Sequence, residues 1–155
     1  MRTILSGLFA LLTFVAVTDI AQASQGSCTT TKTRYAAANA GGTTHSTTPV
    51  NFLENVVGFT QGGASASCVI VRFSAMAEGD SGYTIAVRAI MDGATTALPA
   101  EVLFSDGGDL TFQVRSFDFI FPTVSPGTHS VRIQFRSPTG IDVSIGQHNI
   151  VVQYR

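Results

Sequence analysis

The chain has 155 residues and a formal net charge of −1, so one domain is expected, and no field on it would steer nucleic acid or anionic lipid. It contains no Trp, the aromatic best suited to sugar stacking. No cofactor motif occurs.

The N-terminus reads as a secretory signal peptide over residues 1–23. Arg2 supplies the positive region, Leu8 to Val17 the apolar run, and Ala21-Gln22-Ala23 a small-x-small cleavage site. The run is too short for a bilayer span. An uncleaved anchor or a buried strand is the alternative. Cleavage after Ala23 removes Arg2 and Asp19 together, so the charge is unchanged. A secreted or periplasmic protein is expected, with no membrane span in the mature chain. Two cysteines, Cys28 and Cys68, then have one pairing available in an oxidising compartment. Closing a loop of about 40 residues stabilises by roughly 3–4 kcal/mol in the loop-entropy model. Free thiols or half of a metal site are the alternatives.

Residues 24–49 are rich in Thr and Ser without strong alternation, and predict an arm or edge strand held by that disulfide. From Val50 to Arg155 the chain is a series of alternating runs separated by turn signals. Val50 to Phe59 is the first. Ser67 to Ala77 follows, with Val69, Val71, Phe73 and Ala75 on one face and Ile70, Arg72 and Ser74 on the other. A turn over Glu78 to Gly82 leads into Tyr83 to Met91, and Asp92-Gly93 ends it. Leu98 to Ser105 is a shorter run, closed by Asp106-Gly107-Gly108-Asp109.

Phe112 to Ser137 is the most regular stretch and predicts two neighbouring strands at the heart of the fold. Phe117, Phe119 and Phe121 mark a core face. His129, Val131, Ile133 and Phe135 alternate with Ser130, Arg132, Gln134 and Arg136. The joint, Ser125-Pro126-Gly127-Thr128, fits a type II turn, which splays strands, so the two runs are as compatible with a crossing between sheets as with a hairpin. A last run, Ile141 to Tyr154, is interrupted near Gly146. No window has a capped 3.6-residue repeat. The fold class is all-β, a single antiparallel sandwich of jelly-roll type. A small outer-membrane barrel, with Arg and Gln inward, is the structural alternative.

Pro126-Gly127-Thr128-His129-Ser130-Val131 and Ile133-Gln134-Phe135, with a chain ending in the strand-like run Ile150 to Tyr154, resemble the late strands of C1q/TNF-like jelly rolls. The resemblance covers about a quarter of the mature chain. It implies a homotrimer with an exposed ligand face and carries no catalytic residues.

Several constellations invite chemistry and have plainer explanations. Gly79-Asp80-Ser81-Gly82 spells the start of a serine-protease nucleophile motif, but Tyr83 follows where that family has Gly, and no Asp other than Asp80 separates His45 from Ser81. A turn explains the tetrapeptide. His45, His129 and His148 lack ligand spacing, although His129 and His148 would converge on neighbouring strands. Asp80, Asp92, Asp106 and Asp109 sit in turns without calcium-loop spacing. No metal site is expected. Arg72, Arg88, Arg115, Arg132 and Arg136 fall inside strands, as a solvated face with cross-strand pairs such as Arg–Asp118 or as a recognition surface. The candidate binding face is Arg115, Asp118, Arg132, Gln134 and Arg136. The expected function is an exported, non-enzymatic binding or assembly module for a protein or glycan ligand. The alternatives are a small hydrolase or metal protein whose site is assembled from distant strands, or the barrel.

Overall fold

The computed structural model describes residues 26–78, 83–105 and 112–155. The expected signal peptide, the Gly79–Gly82 motif and the turn expected over Asp106–Asp109 lie outside the described residues.

Ten strands make up the described chain: β1 (Lys32–Ala38), β2 (Gly42–Thr44), β3 (Val50–Gln61), β4 (Ser67–Glu78), β5 (Ile85–Met91), β6 (Thr95–Thr96), β7 (Val102–Ser105), β8 (Gln113–Val124), β9 (Gly127–Arg136) and β10 (Val143–Tyr154). Sheet A has the order β1-β10-β4-β8, with β2 also on β10. Sheet B has the order β3-β9-β5-β6, with β7 also on β5.

Four antiparallel pairs reveal the logic: β1 with β10, β3 with β9, β4 with β8, and β5 with β7. They nest like the rungs of one long hairpin. Wrapping that hairpin sends alternate rungs to opposite sheets, which is jelly-roll order. Pairing of β10 with β4 and of β9 with β5 then completes each sheet. The architecture is therefore an antiparallel jelly-roll sandwich, not a closed barrel.

Alternation decides what lies between the sheets. Val69, Val71, Phe73 and Ala75 of β4 are buried, as are Ile85, Val87 and Ala89 of β5, Val131, Ile133 and Phe135 of β9, and Ile150 and Val152 of β10. Phe52 from sheet B bridges the layers. Its ring meets Phe135 at 5.1 Å, and Phe73 and His148 of sheet A at 5.8 and 4.5 Å, all edge-on. Edge-to-face rings add to the stabilisation from area burial.

The two runs joined at Pro126-Gly127 fall in different sheets, as the splayed turn allowed; Gly127 has φ 139°, in a region that favours glycine. They are not both central. β9 is internal to sheet B, whereas β8 is an edge strand of sheet A. Phe119 and Phe121 are buried, but Phe117 is 37% exposed, so only part of the expected core face is core. The reason is position: beyond β8 the described ladder consists of a single bridge, Leu98 to Ile120. That bridge closes one side of the sandwich, because Ala97 also bonds the Ala89 carbonyl of sheet B at 3.1 Å.

The Thr-rich segment supplies β1 and β2. The Cys28–Cys68 disulfide, with Cα atoms 5.4 Å apart, fastens the approach to β1 onto β4. At the same end Gln61, 2% exposed, donates to Ser67 Oγ at 2.6 Å and accepts from the Arg155 backbone N–H at 3.1 Å. One buried amide thus ties the β3–β4 corner to the last residue.

Candidate functional site

The five residues of the expected binding face do not share a surface. Arg115 and Asp118 are three apart on one strand and so face opposite ways. Arg115 is registered with Ala75 in the inward row of β8, while Asp118 points outward beside Arg72. Arg132, Gln134 and Arg136 face outward from sheet B, on the opposite side of the molecule.

On sheet B most of the polar side chains are tied to one another. Arg88 Nε donates to Gln134 Oε1 at 2.8 Å, and Gln134 Nε2 donates to Asn51 Oδ1 at 2.9 Å, a relay across three registered strands. Arg136 grips Glu101 through two hydrogen bonds of 2.8 and 2.6 Å. The hydrogen bonds from Arg136 hold the Glu101 carboxyl below its ordinary value despite partial burial. Arg132 makes no side-chain hydrogen bond among the described residues.

The outer face of sheet A differs. Register places its residues in transverse rows: Thr33, Gln153, Ile70, Ile120; then Tyr35, Val151, Arg72, Asp118; then Ala37, Asn149, Ser74, Ser116. Met76 and Val114 begin a further row opposite Gln147. Arg72 and Asp118 neutralise each other through hydrogen bonds of 2.8 and 2.9 Å, the cross-strand pair expected for Asp118. Those bonds lower the Asp118 carboxyl and raise the guanidinium. Around that closed pair, Tyr35 is 76% exposed and Val114 77% exposed.

A notch of about 490 Å³ interrupts this face. Its origin is local. Ser144 and Ile145 pair with Glu78 and Ala77, but His148 pairs with Ala75, so Gly146 and Gln147 together oppose Met76. This is a β-bulge, at the interruption visible in the sequence near Gly146. The break between β1 and β2 lies opposite it. A side chain on Gly41 would collide with the Ile145 carbonyl, so glycine is required where the two irregularities meet. Beneath, His148 is 5% exposed; Nδ1 donates to the Gly146 carbonyl at 3.2 Å and Nε2 accepts from the Asn55 amide. That buried imidazole braces the bulge. Ser74, Gln147 and Asn149 line the notch with Asn39, Met76 and Val114.

His129 lies on β9, in the other sheet, and does not join His148. Its Nδ1 faces Asp92 Oδ2 at 2.7 Å and its Nε2 the Ser125 carbonyl at 2.9 Å. Two acceptors require two donors, which favours the imidazolium. The hydrogen bond to Asp92 raises the His129 pKa against its partial burial, and the Ser125 carbonyl adds to the rise. Burial alone would raise Asp92, but hydrogen bonds from His129 and the Ser130 N–H outweigh it and lower that carboxyl. The cluster clamps two turns to β9. Among the described residues His45 pairs only with Asp142, at 3.3 Å on the exposed surface. Among the described residues, no three His, Cys, Asp or Glu side chains converge as metal ligands would.

Sequence reasoning missed Tyr35, Gln147 and Asn149. Gly146 signalled the bulge, but nothing near Tyr35 alternates strongly enough to reveal an outward row.

No family model and no curated protein sequence matches the chain. Among solved structures it is similar to latent PorU from Porphyromonas gingivalis, with TM-score 0.48 and 12% identity over 85% of this chain and 13% of that one. The infectious bursal disease virus VP2 subviral particle gives TM-score 0.44 and 12% identity over 80% and 32%. The C-terminal CBM6 of LamC from Zobellia galactanivorans gives TM-score 0.37 and 13% identity over 77% and 98%. The chain thus spans a small fraction of PorU and under a third of that VP2 chain. The jelly-roll order rests on the strand pairing itself. C1q/TNF membership gains no support beyond the Pro126 to Phe135 stretch.

Proposed function

We propose that the chain is an exported, non-enzymatic binding module whose contact surface is the outer face of sheet A. The observation that carries this reading is the contrast in side-chain satisfaction. Sheet B engages Arg88, Gln134, Asn51, Arg136 and Glu101 with one another. Sheet A leaves Tyr35 and Val114 exposed beside a notch whose amides bond nothing among the described residues. Exposed side chains of mixed character around a preformed concavity are what recognition uses. The disulfide agrees with an oxidising destination. Capture experiments with immobilised Ser24–Arg155 test the reading. Tyr35→Ala with Asn149→Ala should abolish retention of the ligand, and Arg132→Ala should not. Retention unaffected by the sheet A changes would refute it.

Assembly is the second reading, favoured by Val114, Phe117, Ile120 and Phe112, all exposed near the β8 edge. The C1q/TNF resemblance makes a trimer the form to look for. Light scattering across a concentration series checks it, and a monomer throughout would refute it.

A further inference from the structure

We infer that the notch of sheet A and the row beside it form a subsite for a neutral saccharide. This rests on the binding-module reading and names its ligand class.

A pyranose presents two surfaces, an apolar face of C–H groups and a rim of hydroxyls that both donate and accept. A site for it needs an exposed ring or aliphatic plane, groups with both donor and acceptor capacity, and no unneutralised charge. The three coincide here. Tyr35 offers the ring, 76% exposed, two residues along β1 from Ala37 and on the same side. Successive same-face positions on a strand lie roughly 6.5–7 Å apart, about the width of one sugar ring with its substituents. Ala37 has no bulk to obstruct the space between Tyr35 and the notch. Asn149 stands directly across from Ala37, and Ser74 directly across from Asn149.

Each of those polar groups keeps capacity. Asn149 and Gln147 make no side-chain hydrogen bond among the described residues. An amide has two donors and a two-lone-pair acceptor, as adaptable a partner for vicinal hydroxyls as a protein has. Ser74 and Ser116 bond each other at 2.8 Å, which uses one proton of the pair and leaves the other hydroxyl proton to donate. Among the described residues, no charged side chain lines the notch. The nearest in the rows, Arg72 and Asp118, are closed on each other in a two-bond fork. Among the described residues an anionic sugar would find no charged group lining the notch, and a protein partner with charged anchors no counter-charge there. The bulge, braced by His148 and the Gly41 approach, fixes where Gln147 projects before ligand arrives.

The test is calorimetric titration of Ser24–Arg155 with cellohexaose, xylohexaose, mannohexaose and laminarihexaose, and with a uronic-acid hexamer as the anionic comparison. At least one neutral hexamer should bind, with an affinity independent of salt, and the anionic one should bind more weakly. Tyr35→Ala and Asn149→Ala should each weaken binding about tenfold, the size expected for losing a stacking plane or a hydrogen-bonding amide. Leu103→Ala, comparably exposed on sheet B, should change nothing. Absence of heat with every neutral hexamer overturns the inference, and so does binding that survives Tyr35→Ala and Asn149→Ala. If sugars fail while those two substitutions still abolish capture of a protein partner, the saccharide assignment falls and the binding-face reading stands. If the substitutions alter neither, both fall.

Discussion

The outer faces of the two sheets are built from the same kinds of side chain and end in opposite conditions. On sheet B an Arg, a Gln and an Asn in register pass a hydrogen bond across three strands, and Arg136 closes on Glu101. On sheet A, among the described residues, Arg72–Asp118, Ser74–Ser116 and Thr43–Ser144 close, and Tyr35, Gln147 and Asn149 remain outward. Two differences in backbone produce this. Segment 94–101 folds back beside β5, pairs with it through β6 and brings Glu101 to Arg136, so that guanidinium finds its partner in the chain itself. In sheet A a bulge and a strand break fall at the same level and open a notch. Side-chain composition says less about availability than what the next loop covers.

The largest expected effect breaks the core that holds the faces apart. Phe52→Ala removes a fully buried ring that touches both sheets and should cost about 3–5 kcal/mol of unfolding free energy, measured by urea titration. Replacing both cysteines by Ser should cost roughly 3–4 kcal/mol if loop entropy dominates. It should also loosen sheet A first, read as faster amide exchange in β1 than in β9. Equal exchange in both strands would show that the bridge does not single out sheet A.

Smaller effects sharpen the comparison. Arg136→Ala should lower stability by about 1 kcal/mol or less, since both partners are partly solvated, and Val114→Ser should leave it unchanged. The His129–Asp92 clamp adds a pH signature. His129 is raised above 6.5, so its contribution is complete below about pH 6.5 and is lost as pH rises through its folded pKa. Asp92 is lowered below 3.8, so its contribution is present above about pH 3.8 and is lost as pH falls through its folded pKa. Thermal scans should place the clamp's full effect between those limits. His129→Gln should remove the alkaline decline while leaving the acid decline from Glu101 and Asp118 in place.

Much of the fold was legible because strand alternation is a local signal. The faces of β4, the splayed turn at Pro126-Gly127 that left a crossing open, and the interruption near Gly146 were all written in neighbouring residues. Pairing order was not, because a jelly roll joins residues as distant as Lys32 and Tyr154. For the same reason Asp118 and Arg132, close in sequence, lie on opposite outsides of the sandwich. Arg115 is a different case. Its parity with Phe117 already placed it inward, and grouping it with Asp118 overlooked the alternation. Tyr35 became visible only once β10 gave β1 a register.

The most direct measurement compares capture of ligand from extracellular extract by immobilised Ser24–Arg155 and two doubly substituted forms. Tyr35→Ala with Asn149→Ala changes sheet A, and Arg132→Ala with Gln134→Ala changes sheet B. Loss of capture with the first pair and retention with the second is the expected result. Retention with the first pair and loss with the second would contradict the assignment of sheet A as the binding face.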